Sequence, residues 1–140
     1  MHKTEQKITE KALAISLEQD IADCLSHWSG PQNLKVIVGI PFHDEDDSLP
    51  NVVRTAQHGL AQMGLSATSS ILCVGHRTGK IALKNALEKE DANIGPPICG
   101  FLLGEGLSGR GWTAKAIIAV AAELKAPLIL LSPDLEPQKN

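Results

Sequence analysis

The residues best suited to chemistry sit where apolar runs end. Leu34 to Ile40 is mostly apolar and rich in β-branched side chains. It gives way through Pro41 to His43, Asp44, Glu45, Asp46 and Asp47. A second run, 70–74, ends in Gly75-His76-Arg77-Thr78-Gly79. A third, 98–103, ends in GEGLSGRG, residues 104–111. A fourth, 128–131, ends in Ser132-Pro133-Asp134. Carboxylates and imidazoles of this kind can hold a divalent cation. Glycine amides ahead of a helix, with Arg110 beside them, can hold a phosphate.

Each pattern also has a plainer reading. Gly104, Gly106 and Gly109 spell GxGxxG after a strand and before a helix, the context of a dinucleotide fingerprint. They belong to the third strand–helix unit, however, and no acidic residue closes a strand about twenty residues on. NAD or FAD is therefore disfavoured. Gly106-Leu107-Ser108-Gly109-Arg110 fails as a nucleophile elbow because Arg110 stands where glycine is required. No Walker A sequence is present. His43, Asp44, His76 and Asp134 could meet around a metal, as in a small metal-dependent hydrolase, yet no pair has the local spacing of a metal motif. Exposed loop histidines and a solvated acidic run capping a helix explain the same residues.

Such loops need elements to position them. Leu13, Leu17, Ile21, Cys24 and Trp28 recur at helical spacing and predict a helix over 4–28, with Glu10, Glu18 and Asp20 on its opposite side. Ser29-Gly30-Pro31 ends it. The first strand is expected over 34–40 and breaks at Pro41. A helix follows over 49–63, on Leu49, Val52, Val53, Ala56, Leu60 and Met63. Strand 70–74, helix 78–89, strand 98–103, helix 112–124 and strand 128–131 complete the alternation. The expected fold is α/β, a parallel β-sheet with right-handed crossover helices. Residues 1–33 form an N-terminal helical segment and 34–140 the α/β domain, packed together as one unit. Loops 41–47, 75–79, 104–111 and 132–137 then share one sheet edge. If the first and fourth strands are neighbours, the acidic loop and Asp134 share a crevice.

Composition narrows the partners. The chain has 140 residues, 43% hydrophobic and 21% charged, enough for one folded core. Aromatics are 3%, with no Tyr, which argues against a stacking platform for single strands. A net charge of −3 with no basic block argues against nucleic acid generally. Cys24, Cys73 and Cys99 form no CxxC pair, so neither a disulfide framework nor a cysteine zinc site is indicated. No signal-peptide pattern or membrane-spanning run is present, so a cytoplasmic protein is expected.

Taken together, the loops resemble the nucleotide-sugar half of GT-A glycosyltransferases, especially the mannosylglycerate synthase and glucosyl-3-phosphoglycerate synthase group. Pro41-Phe42-His43-Asp44-Glu45 is similar to that group's Pro-x-x-x-Glu loop after the first strand. Cys73 to Arg77 is similar to its second strand end. Gly109-Arg110-Gly111 matches its Gly-Lys-Gly or Gly-Arg-Gly before a helix. Ser132-Pro133-Asp134 stands where it has Asp-x-Asp. The likeness spans about residues 34–136 and implies a Rossmann-like half of a GT-A fold. It implies that Pro41, His43 and Glu45, with Asp44 in the same loop, line the base and ribose of a nucleotide-diphosphate sugar. Gly109, Arg110 and Gly111 would face the diphosphate or the base. Asp134 would be the metal-side carboxylate for Mg or Mn, weakened because Ser132 replaces the first Asp. The acceptor site of the family comes from sequence beyond this motif. The resemblance therefore implies a donor-binding half without transfer activity alone, completed by an acceptor-domain partner or self-associating as a homo-oligomer. The alternative is a non-catalytic α/β interaction module.

Overall fold

A computed structural model describes residues 2–28, 30–31, 33–42, 48–76, 80–88, 95–104, 107 and 110–131, with side chains from residue 11 onward except at 88 and 110. The elements are α1 (His2–Ser26), β1 (Val36–Phe42), α2 (Ser48–Gln62), β2 (Ser69–Gly75), α3 (Lys80–Glu88), β3 (Ile98–Leu102), α4 (Arg110–Glu123) and β4 (Leu128–Leu130). The strands form one sheet in the order β3-β2-β1-β4, and every pairing is parallel. The architecture is the expected Rossmann-like α/β sheet. No described helix is long and apolar enough to cross a membrane.

Helices cover both faces, which is why the strands read as nearly unbroken apolar runs. Alternate residues of each strand go to opposite faces. Val38, Ile40 and Phe42 of β1 join Ile71 and Cys73 of β2 against Leu49, Val53 and Leu60 of α2 and Ala82 and Leu83 of α3. Ile37, Leu72 and Val74 face the other way, onto Ile117, Val120 and Ala121 of α4. Leu13, Leu17, Ile21 and Cys24 of α1 pack on this second cluster, so the helical spacing read from the sequence is the face that docks. Ile37, Ile71, Leu72 and Ile117 are fully buried, each worth roughly 2 kcal/mol of transfer free energy.

One contact sets how closely α4 approaches the sheet. A Cβ on Gly39 would collide with the Ile117 side chain and stand 3.1 Å from Leu128 Cδ1. Glycine lets α4 lie directly on β1 at this point.

Several expected boundaries shift. The first strand does not break at Pro41; β1 runs through Phe42. The reason lies in the ladder. Ile37 N–H donates to Pro127 O at 2.9 Å and Leu131 N–H to Gly39 O at 2.9 Å, so the odd-numbered residues of β1 bond towards β4. Pairing with β4 ends at Gly39↔Leu130, while pairing with β2 continues to Phe42↔Gly75. Pro41 is next on the β4 side, where no ladder partner asks for its missing N–H. Met63, expected on the inner face of the second helix, lies past the end of α2 and is 70% exposed. Arg110 and Gly111, expected in the glycine-rich loop, already belong to the first turn of α4.

Candidate functional site at the carboxyl edge of the sheet

Chain order and sheet order together define the site. The crossover through α2 and that through α3 lie on one face, and the crossover through α4 lies on the other. The change of face falls between β1 and β4. That gap is the topological switch point, where open parallel sheets leave a crevice beyond the strand ends. Because β4 stops pairing at Gly39, Pro41 and Phe42 stand beyond the last shared ladder bond. Phe42 is 1% exposed, its ring seated where Gly75 of β2 lacks a side chain. The ends of β1 and β2 are thus locked by a close fit of one ring over one glycine.

The sequence-predicted residues distribute around this edge as follows. Pro41 is half-buried in β1. His43, Asp44 and Glu45 follow it and lie outside the described residues, as do Gly109, Ser132 and Asp134. Arg110 opens α4, and Gly111 is exposed in its first turn. His76 directly follows β2 and is half-buried. All four strands being parallel, the connections after β1, β2 and β3 and the residues after β4 leave from the same edge.

Helix N-termini and the Asp20 carboxylate both meet that edge. α2, α3 and α4 each begin within a few residues of a strand's carboxyl end, so all three N-termini point there. None carries an acidic residue in its first turn. Their partial positive ends therefore stay uncompensated within the helices themselves. Lys80 opens α3, Arg110 opens α4, and Lys115 sits 5.0 Å from the centroid of the Trp112 ring, one turn into α4. Among the described residues, no three His, Cys, Asp or Glu side chains converge as metal ligands would. The carboxylate expected to hold a cation, Asp134, lies outside them.

The cysteines serve structure. Cys73 is fully buried, and burial first, then the nearby Cys99, pushes its thiol up to about 12. The same causes in the same order raise Cys24 to about 11. Both are neutral thiols and poor nucleophiles at neutral pH. A cavity of about 200 Å³ opens between the end of α1 and β3, lined by Cys24, Trp28, Ile98, Cys99 and Phe101 among others. It runs along β3 from Ile98 to Phe101.

Two residues with long-range bonds are not marked by any sequence pattern. Asp20, expected on the solvent side of the first helix, instead accepts a 2.9 Å hydrogen bond from the Gly104 amide, where the chain has just left β3. Gln57, in the middle of α2, is 4% exposed and donates through Nε2 to Pro96 O at 3.2 Å, tying α2 to the approach of β3. A helical moment treats both as polar and outward-facing; only the tertiary partner reveals them. No protein-family model, curated protein or solved structure matches the chain.

Proposed function

We propose that the chain is a glycosyltransferase-like domain that binds a nucleotide-diphosphate sugar at the carboxyl edge between β1 and β4. The observation that carries this reading is the adjacency of β1 and β4 at the switch point. It sets the carboxyl ends of β1 and β4 side by side, which supports the placing of donor-binding loops that the resemblance implies. The base and ribose would meet Pro41 and the acidic loop after it. The diphosphate would meet the N-terminal turn of α4, with Arg110, Gly111 and the glycine amides ahead of them. A divalent cation on Asp134 would offset the repulsion between phosphates and carboxylates. With Ser132 in place of a second carboxylate, that cation should bind loosely without nucleotide. Calorimetric titration with UDP and GDP, with and without Mn²⁺, tests this. Wild type should bind one of them more tightly with metal, and Asp134→Ala should remove the metal dependence. No binding of either nucleotide in the presence of Mn²⁺ refutes the reading.

A second reading, an α/β interaction module, rests on a different observation. β4 is a three-residue edge strand, and Ile129 and Leu130 on it are 50% and 45% exposed. Apolar side chains on an unpaired edge invite another chain. On this reading the chain self-associates at that edge. Sedimentation should then show a concentration-dependent dimer that Ile129→Lys weakens; a strict monomer at high concentration excludes it.

A further inference from the structure

The connection from β3 to α4 is fastened at three points. Leu103 N–H donates to Gly75 O at 2.8 Å, Leu107 N–H donates to Gly104 O at 3.3 Å, and Gly104 N–H donates to Asp20 Oδ2 at 2.9 Å. Leu107 itself is fully buried against α4. The first two bonds come from the sheet and from the connection itself. The third crosses 84 residues of sequence to the middle of α1. It is also the only one of the three whose acceptor is a side-chain carboxyl oxygen.

The local arrangement is specific. Ser16 and Asp20 are one turn apart on α1, and both face the position a Gly104 side chain would take. Asp20 Oδ2 is 3.5 Å and Ser16 Oγ 3.7 Å from where its Cβ would stand. The neighbouring stripe of α1, Leu13, Leu17 and Ile21, is packed on the α4 cluster. The helix is held by its apolar stripe and delivers one carboxylate to the start of the connection.

We infer that Asp20 is a positioning residue for the anion-binding edge: through the Gly104 amide, α1 fixes where the chain leaves β3 and hence where α4 begins. The inference rests on the proposed nucleotide reading for its consequence, but its structural half stands on the Gly104 bond alone. Asp20 does two opposing things. Its oxygen orders the backbone, and its negative charge lowers the local affinity for phosphate. Asparagine keeps an acceptor oxygen and removes the charge; alanine removes both. The expected order of UDP affinity in Mn²⁺ is therefore Asp20→Asn equal to or above wild type, with Asp20→Ala roughly fivefold to twentyfold weaker. A residue that only stabilised the fold would lower the unfolding midpoint without producing this order.

The experiment pairs calorimetry with amide hydrogen exchange on the full chain without nucleotide. Exchange at Gly104 should accelerate about tenfold or more in Asp20→Ala and stay near the wild-type rate in Asp20→Asn. Asp20→Ser, one bond too short to reach the amide, repeats the test should the alanine variant fold poorly. Unchanged Gly104 exchange in Asp20→Ala and Asp20→Ser overturns the inference. So does accelerated exchange with UDP affinity equal to wild type. If wild type binds no UDP or GDP, the nucleotide reading has failed, and Gly104 exchange alone decides whether α1 orders the connection.

Discussion

At the scale of residues, the thiols give the clearest chemical forecast. Cys73 and Cys24 hold their protons more tightly when folded than the ordinary cysteine value of 9.0, at about 12 and about 11. A group whose folded value is raised contributes stability that is whole below its unfolded value and is lost as pH rises through the folded one. Stability should therefore hold up to about pH 9 and fall between about 9 and 12. Urea unfolding across that range should show the fall, and Cys73→Ala should flatten it while lowering stability at neutral pH. In native protein at pH 8, a bulky disulfide reagent should label Cys99, which is only half-buried, before Cys24 or Cys73. Gln57 offers a second test. Replacing it by Leu strands the Pro96 carbonyl beneath α2, and should cost about 1–3 kcal/mol despite the more apolar side chain. Residue types alone did not announce these roles. Glycine at 39 and glutamine at 57 look neutral in sequence, and their significance appears only when Ile117 and Pro96 are brought against them.

At the scale of elements, most of the fold was legible, because period and punctuation agree with the layers. Strands buried on both faces read as mostly apolar runs, as 36–42 does and as 69–75 does after its two serines. The inner faces of α1 and α2 follow from their helical spacing. Boundaries were less legible where a neighbour overrides a local rule. Pro41 ends a strand in most contexts, but β4 withdraws before its missing N–H is needed. Arg110 reads as loop because it follows glycines, yet it starts α4. The Gly39 contact makes a prediction about elements rather than side chains. Gly39→Ala should push α4 off β1 and cost about 1–3 kcal/mol, and should cost less in an Ile117→Ala background than in wild type. Single-variant losses that simply add in the double variant would show that α4 does not approach β1 as described. The candidate site was legible as a set of loops on one edge. The adjacency of β1 and β4 was not, since strand order is a tertiary choice that hydrophobic pattern does not encode.

At the scale of the molecule, the parallel sheet sets up an asymmetry. Its carboxyl edge gathers three helix N-termini free of first-turn acids, the unpaired-side Pro41 of β1 and a strand-order reversal. The amino edge carries none of these. α1 adds a strut from one side through Asp20. The account therefore predicts not merely that a nucleotide binds but which end of the sheet it touches. The most direct measurement is amide chemical-shift mapping on labelled protein titrated with UDP and GDP in the presence of Mg²⁺. The account predicts perturbations at Phe42, His76, Gly104, Gly111 and Leu131, around the ends of the strands, with Lys35, Thr68 and Pro97's neighbour Ile98 at the other edge unmoved. Perturbations centred instead on the amino edge or on the cavity beside Trp28, or none at millimolar nucleotide, would contradict it.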